Sequence, residues 1–453
     1  MADREIGRRA VVIGAGIAGL AAAGAVAAYF GEVIVLERDR LPGEAVPRRG
    51  TPQSRHLHGL LAGGQRALSD LFSDFEQDLR DGGAVPMRMQ RDLRAELPGL
   101  GPVPSRDFGF SFYGASRPLI ELITRRQVEK LANLRVRPDC RVLEITATPD
   151  GAVVTGVRYE AADARQEIVA ADLVIDASGR GAPTLALLRS SGQPVPDEIV
   201  VGIDLHYTTA TFHIPEDACA DWKGVAIRPH APDRSRGGYM FPIEGNRWVL
   251  TLAGQIGERP PAEPDGFMDF ARRLETRTIY NAIRHAGRQS GFARYAFPQS
   301  AWRRFDRLHA FPRGLLPIGD SICRFNPVYG QGMSAAAQEA RLLKQLLEDR
   351  ATAPDPLAGL APAFFSESLP LVEAPWNMSA IPDLVYPGTR GERPAGLERR
   401  LRHNRALFRT AMHDAEVHRL LLEVQHFLKP PSVLQDPAID RLVQREAFET
   451  AAE

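Results

Sequence analysis

Apolar positions near the start of the chain change period twice within thirty residues. Residues 9 to 13 (Arg-Ala-Val-Val-Ile) read as a buried parallel strand, Ile17 to Phe30 as an alanine-rich helix, and Val33 to Leu36 as a second strand ending in Glu37. Between the first strand and the helix lies Gly14-Ala15-Gly16-Ile17-Ala18-Gly19. Strand, glycine turn, helix and acid-ended strand are the order a dinucleotide fold requires. Gly14 serves the tight turn, Gly16 lets the backbone approach a pyrophosphate, and Gly19 lets the helix pack on its strand. The helix start at Ile17 and Ala18 offers free N–H groups and a positive dipole end to phosphates. Glu37, 18 residues past Gly19, is placed to accept hydrogen bonds from an adenosine ribose. Ala10 to Phe30 carries no charge, which invites a membrane span, but its glycines and alanines make it weakly hydrophobic and the glycine turn would break a helix.

Beyond a Pro-, Gly- and Arg-dense loop at Leu41 to Arg55, the pattern predicts helices over His58 to Phe72 and Arg117 to Leu131, with an apolar, aromatic segment at Phe108 to Tyr113. Strand-like segments follow at Arg135 to Val136, Arg141 to Thr148, Val153 to Tyr159 and Glu167 to Val169, then a buried strand, Asp172 to Asp176, running into a turn at Gly179. From 198 to 256 apolar and polar residues alternate in four runs, which predicts an antiparallel sheet with one wetted face. Gly314 to Ile318 reads as a strand, Gly330 to Leu347 as a helix, Pro354 to Pro362 as a linker, and the rest as mainly helical, clearest at Leu397 to Leu428. The expected fold class is α/β: a Rossmann-like domain, an inserted antiparallel-sheet domain and a helical C-terminal region. The expected divisions are residues 1–75, 106–195 and 306–352 for the nucleotide domain, 76–105 and 196–305 for the substrate domain, and 353–453 for the helical region.

Composition narrows the functions. At 453 residues, 44% apolar, 25% charged and net charge zero, the chain has an ordinary globular make-up that implies neither nucleic acid nor an anionic membrane as partner. Three widely spaced cysteines, Cys140, Cys219 and Cys323, argue against a disulfide framework and a zinc site, and fit a reducing compartment. Arg4, Arg8 and Arg9 could open a signal peptide, but the apolar run continues straight into a second strand, so a cytoplasmic location is expected. His56 and His58 lack a second ligand cluster, so no metal is expected.

A second motif turns "dinucleotide" into FAD. Gly314 to Asp320 is followed by Asn326-Pro-Val-Tyr-Gly-Gln-Gly-Met333 and a helix. An aspartate at a strand end can accept hydrogen bonds from the ribityl hydroxyls of a flavin, a group NAD lacks. Gly319 and Asp320 form that end, Gly330 and Gly332 let the backbone pass close to the ring, and Pro327 would pack against it. The helix starting at Gln331 to Met333 would direct N–H groups at the N1 and C2 carbonyl edge. Asp176-Ala-Ser-Gly179 belongs beside the first glycine turn, with Arg180 near cofactor phosphate or on an exposed turn. The loop carrying Arg48, Arg49 and Arg55 is expected along the cofactor. Arg117, with Arg126 and Gln127, is either a cofactor contact or an ordinary solvated set; Arg38 and Val142 complete the expected cofactor-binding positions. No second GxGxxG is present, so nicotinamide, NADH or NADPH, either docks transiently or electrons arrive from a separate flavin reductase. No motif assigns catalytic residues.

Pro47-Arg-Arg-Gly-Thr-Pro-Gln-Ser-Arg-His-Leu-His58, Ala115-Ser-Arg-Pro-Leu119, Val174-Ile-Asp-Ala-Ser-Gly-Arg-Gly181, Phe241-Pro-Ile-Glu-Gly-Asn-Arg-Trp248 and Ile318 to Met333 resemble the class A flavin monooxygenases, closest to bacterial polyether-type flavin epoxidases. The resemblance implies an epoxidase or hydroxylase that acts through a flavin C4a-hydroperoxide on a large apolar polyketide or terpenoid intermediate. Substrate would then sit between the flavin and the inserted sheet, near His206, Tyr207, Tyr239, Phe241 and Trp248. Asp-Ala-Ser-Gly stands where many aromatic hydroxylases carry an Asp-Gly fingerprint associated with nicotinamide. Two alternatives share these motifs: a cyclase that uses FAD as a non-redox scaffold, and a non-enzymatic carrier of a lipid or prenyl ligand.

Overall fold

A computed structural model describes residues 5–216, 218 and 220–451; Arg4 and Cys219 lie outside them. The chain begins β1 (Gly7–Ile13), α1 (Ile17–Val26), β2 (Phe30–Leu36), α2 (Ala62–Leu71), α3 (Phe75–Asp81), β3 (Val85–Arg88), β4 (Leu93–Leu97), β5 (Gly101–Pro102), β6 (Ser111–Gly114) and α4 (Arg117–Glu129). It continues through β7 (Leu134–Arg137), β8 (Arg141–Ala147), β9 (Val154–Glu160), β10 (Gln166–Ala170), β11 (Leu173–Asp176), α5 (Ala182–Ser190) and β12 (Glu198–His213). Next come β13 (Gly224–Ile227), β14 (Gly237–Ile243), β15 (Arg247–Gly254), α6 (Pro264–Arg272), α7 (Thr278–Ile283) and β16 (Ala293–Arg303). The last elements are β17 (Leu315–Pro317), β18 (Cys323–Arg324), α8 (Gly332–Arg350), α9 (Leu360–Asp383), α10 (Leu397–His413), α11 (Ala415–Gln425) and α12 (Pro437–Ala451).

Five strands form a parallel sheet in the order β17-β11-β1-β2-β7, with Val12 opposite both Val35 and Ile175. The centres of β1, β2 and β11 are buried on both faces, which is why they read as continuous apolar runs, whereas the edge strand β7 is partly exposed and alternates with arginines. On one face α1, α4 and α8 share a core through Leu20, Ile120 and Leu343; on the other, β8 to β10 cover the sheet through Ile145, Val157 and Val169. This is a Rossmann-like nucleotide fold, as the periodicity predicts.

The second sheet has eight strands in the order β18-β16-β12-β15-β14-β13-β4-β5. It is mixed rather than purely antiparallel, because β4, arriving from a distant part of the chain, adds parallel to β13 with Ala95 opposite Ala226. One face packs on α6 and α7 through Met240, Trp248, Leu250 and Phe267.

Several boundaries move. Phe30 opens β2 opposite Gly7 instead of closing the helix. His58 to Leu61 precede α2, which starts at Ala62, and α8 starts at Gly332, not Gly330. Leu360 to Pro362 belong to α9, not to a linker. Residues 397–428 hold two helices, because the Asp414 carboxylate accepts from the Glu416 and Val417 N–H groups and starts a new one. β16 is an unanticipated strand, paired along its length with β12 and at its end with the two-residue β18. No helix among the described residues is long and apolar enough to cross a membrane.

Candidate active site

At the β1-to-α1 turn Gly14 has φ +101°, and a Cβ there would lie 2.8 Å from the Ala177 carbonyl oxygen, so the turn admits only glycine. A Cβ at Gly19 would meet the Gly14 carbonyl oxygen at 1.9 Å, while one at Gly16 would meet nothing within 4 Å. The backbone is thus tightly packed on one side of the turn and open on the other. No side chain caps α1 and no acid stands in its first turn, which leaves its N–H groups for an anion. Glu37, 4% exposed, accepts from the Ala15 N–H at 2.8 Å and the Asp39 N–H at 2.9 Å. The Arg48 guanidinium lies 3.2 Å from Glu37, 2.9 Å from Asp39 and 3.3 Å from Glu121, and donates to the Ala15 carbonyl at 3.2 Å. Burial works against its charge, but Glu121, Glu37 and Asp39 hold it above the usual arginine value.

The far motif closes on the same place. Gly319 has φ +63°, and a Cβ on it would lie 2.8 Å from the Ala18 Cβ of α1 and 3.4 Å from the Ala336 Cβ of α8. Asp320 follows, open to solvent but deep in a cleft: desolvation raises its carboxyl against the pull of Arg324, Arg117 and Arg303. Positions 332 and 179 face it, since a Cβ at Gly332 would be 3.8 Å from Asp320 Oδ1 and one at Gly179 would be 4.0 Å from Asp320 Cβ. No side chain caps α8 and its first turn is free of acids; the Gln331 Oε1 at its start is buried without a hydrogen-bond partner. Two open helix starts and two acids, Glu37 and Asp320, form a set of donors and acceptors that fits the phosphates, hydroxyls and ring edge of FAD.

A cavity of about 940 Å³ adjoins this cleft through Pro327, Tyr329, Gly330 and Gln331. Tyr207, Tyr239 and Phe241 of the eight-stranded sheet form one wall, and Met378, Leu407 and His426 from α9, α10 and the end of α11 form another. Asp383, 1% exposed, lies on the boundary: its carboxylate accepts from Asn326 Nδ2 at 2.8 Å and faces the Tyr329 hydroxyl at 3.5 Å. Burial pushes this carboxyl up to about 7.

Residues 10–195 match the family described as FAD dependent oxidoreductase. The chain is 36% identical over 410 residues, 85% of its length and 84% of the relative's, to Protein Rv3254 of Mycobacterium tuberculosis (strain ATCC 25618 / H37Rv). It belongs to the FAD-dependent oxidoreductases. Among solved structures, the flavin-dependent brominase Bmp2 superposes with a TM-score of 0.65 at 13% identity, covering 98% of this chain and 100% of that one. The Diels-Alderase PyrE3 of pyrroindomycin biosynthesis superposes with a TM-score of 0.60 at 18% identity, covering 92% and 80%. These two likenesses are of fold. The oxidoreductase is therefore an FAD enzyme and not the non-enzymatic carrier its motifs also allowed.

Not every anticipated residue of the oxidoreductase meets at the cleft. Asp176 is wholly buried and committed to its own turn: it accepts from the Ser178 N–H at 3.0 Å, the Thr184 N–H at 3.1 Å and the Thr184 hydroxyl at 2.7 Å. The nucleotide turn is met by the next residue, Ala177, whose N–H donates to the Ile13 carbonyl at 3.0 Å and whose carbonyl oxygen packs beside Gly14. In the arginine loop Arg48 enters the acid cluster, whereas Arg49 and Arg55 are exposed, as is Arg38, which reaches the Gly50 carbonyl at 3.4 Å. Arg117, set at the start of α4 by the Ser116 cap, pairs with Glu121 at 2.7 Å and lies within electrostatic reach of Asp320. Arg126 and Gln127 turn away, the first to the Gly43 carbonyl at 3.4 Å and the second to Asp78 at 2.5 Å. Val142 is half-buried and packs against the core beneath the sheet, two residues past Cys140, whose N–H donates to the Glu37 carbonyl at 2.8 Å. Trp248 faces α6 and α7, and His206 pairs with Asp204 at 3.1 Å; neither lines the cavity. His56 is buried between Tyr207 and Tyr295, its Nδ1 2.7 Å from the Thr209 hydroxyl, and burial lowers it to about 4, so it is held neutral. Asp383 was missed, although an acid inside the apolar run Ser379-Ala-Ile-Pro-Asp-Leu-Val385 is a visible signal.

Proposed function

We propose that this oxidoreductase is a monooxygenase, an epoxidase or hydroxylase of a large apolar polyketide or terpenoid intermediate. The observation that carries the reading is the mainly apolar and aromatic cavity of about 940 Å³ opening against the Pro327–Gln331 loop. Bound FAD, once reduced, supplies the electrons that turn dioxygen into an oxygen donor. The protein's share is binding, orientation and water exclusion. The α1 start and Gly16 would hold the diphosphate, Glu37 the adenosine ribose, and Asp320 the ribityl hydroxyls. Gln331, Gly332 and Met333 would present the α8 start to the ring. Tyr207, Tyr239 and Phe241 would fix the substrate against that edge, the positioning on which such a reaction depends.

The domain limits anticipated from the sequence belong to this reading: substrate lies where the inserted sheet, the nucleotide domain and the C-terminal helices meet. The described residues contain one parallel sheet, so electrons come from transiently docked NADH or NADPH, or from a separate reductase. A cytoplasmic site of action suits that supply. The alternative, a cyclase using FAD as scaffold, fits the same cavity, which has room to fold a polyene without any redox step.

Both readings are separated by one experiment. FAD-loaded protein is photoreduced without air, then mixed with ¹⁸O₂ and a panel of polyene and phenolic substrates, with parallel samples kept oxidised and anaerobic. One labelled oxygen in the product supports the monooxygenase; an unlabelled isomer formed in the anaerobic samples selects the cyclase; FAD re-oxidation with hydrogen peroxide as the sole product rejects both.

A further inference from the structure

The cavity is apolar over most of its wall, yet it contains a cation that the fold does not neutralise. Arg228, directly after β13, is half-buried, lines the cavity and rests its guanidinium on the Phe408 ring of α10 at 5.0 Å. No ion pair links it to an acid among the described residues. The nearby Glu96 carboxylate is engaged by Arg94, Thr276 and Thr278, and Glu96 meets Arg228 only through its carbonyl and the Arg228 N–H, at 3.2 Å. Arg228 acts electrostatically on the Tyr239 and Tyr329 hydroxyls, so it lies near the polar groups bordering the flavin loop. Arg405 and His403 line the same cavity from α10.

A guanidinium stacked on an aromatic ring is held in place while its N–H fork stays available, the arrangement that suits a planar oxyanion. Asp233 and Asp383 line the same cavity but neither forms an ion pair with Arg228, so this half-buried cation would gain a direct counter-charge when an anion binds. The chain as a whole has net charge zero, so the unmatched cation is a local feature and not a reflection of overall composition. We infer that Arg228 is the head-group site of the substrate cavity, and that the natural substrate is an amphipathic acid: an apolar body with a carboxylate or enolate that pairs with Arg228. This deepens the proposed function and rests on its assignment of the cavity to substrate.

The test uses FAD-loaded protein and two probes that differ only in charge, dodecanoate and methyl dodecanoate, titrated by the change in flavin absorbance and fluorescence. Dodecanoate is expected to bind at least roughly tenfold more tightly, the scale of a charge-assisted hydrogen bond. In Arg228→Gln the two probes should bind alike, with the ester's affinity unchanged, and in Arg228→Lys part of the preference should return. Equal FAD content in all three proteins shows that the variants are folded. Equal binding of acid and ester in the wild type, or a preference that survives in Arg228→Gln, overturns the Arg228 site alone. Binding of neither probe overturns the cavity assignment and the head-group site with it.

Discussion

The Gly319 N–H donates to the Glu339 carboxylate of α8 at 2.7 Å, in a region where Glu339 is only 1% exposed. This bond ties the flavin-side turn to the helix that would face the flavin ring. Burial pushes the Glu339 carboxyl up to about 7, above the 4.5 of an unperturbed glutamate, with Asp320 adding to the rise and the Gly319 N–H opposing it. The native state therefore holds a proton that the unfolded state releases first. Stability is full below about pH 4.5 for this group and declines as pH rises to about 7. Glu339→Gln keeps an acceptor for Gly319 and removes the ionisation. The variant should be more stable than wild type at pH 8, by on the order of 1–3 kcal/mol, and the two should converge below about pH 4.5. Thermal melts of the FAD-loaded proteins across that range check it.

Gly16 and Gly19 separate cofactor binding from folding. A Cβ at Gly16 meets no protein atom within 4 Å and the residue has an ordinary φ of −78°, so Gly16→Val should leave the stability of the FAD-free protein within about 0.5 kcal/mol. Its side chain would occupy the space left for the diphosphate, and FAD affinity should fall by roughly 100-fold or more. Gly19→Ala instead forces a methyl group to within 1.9 Å of the Gly14 carbonyl oxygen and should destabilise the fold itself. Flavin content after desalting, alongside urea unfolding, distinguishes the two.

The nucleotide half was legible because its signals are local. Strand, glycine turn and helix follow one another within thirty residues, and each buried strand is an unbroken apolar run. The cavity was not, since its walls come from β12 to β15, the 327–331 loop and helices beyond residue 370. Periodicity reports which face of an element is apolar, not which distant element covers it. The tail reads as mainly helical, but Pro370, Pro375 and Pro382, each a helix breaker by local propensity, hide that residues 360–383 form one continuous helix, α9, with Phe364 and Val372 in the shared core. β16 escaped for a similar reason: Arg294, Pro298 and Gln299 interrupt its apolar pattern, and its pairing with β12 makes it a strand. Arg48 is not distinguished from Arg49 and Arg55 by sequence, because three arginines in one loop share a composition and differ only in direction.

Arg48 is the shared counter-charge of Glu37, Asp39 and Glu121, with side chains that are 6%, 10% and 10% exposed. Arg48→Met leaves Glu37 and Asp39 without a guanidinium, while Glu121 keeps Arg117 at 2.7 Å and adds its charge to the cluster. The loss should be on the order of 3–5 kcal/mol, as expected when one member of a buried ion pair is removed. Arg48→Met with Glu121→Gln should recover part of it by removing one of the repelling charges. Urea unfolding of the FAD-loaded single and double variants measures the difference. A double variant no more stable than the single one would show that Glu121 is not coupled to Arg48.

Asp383 connects the flavin loop to the substrate cavity, and its ionisation should be felt in both. Its carboxyl, at about 7, is mostly protonated at pH 6 and mostly ionised at pH 8. Ionisation places a negative charge beside Tyr329, on whose hydroxyl Arg228 also acts. An anionic ligand paired with Arg228 meets that charge as repulsion, so the dissociation constant of dodecanoate should rise roughly three- to tenfold from pH 6 to pH 8. Methyl dodecanoate should show no such trend. Asp383→Asn keeps a carbonyl acceptor for Asn326 and cannot ionise, so its dodecanoate affinity should be flat across the same range. The neutral ester serves as the control for any loosening of the loop: a purely structural role for Asp383 would alter both probes equally and leave the wild-type pH trend in place.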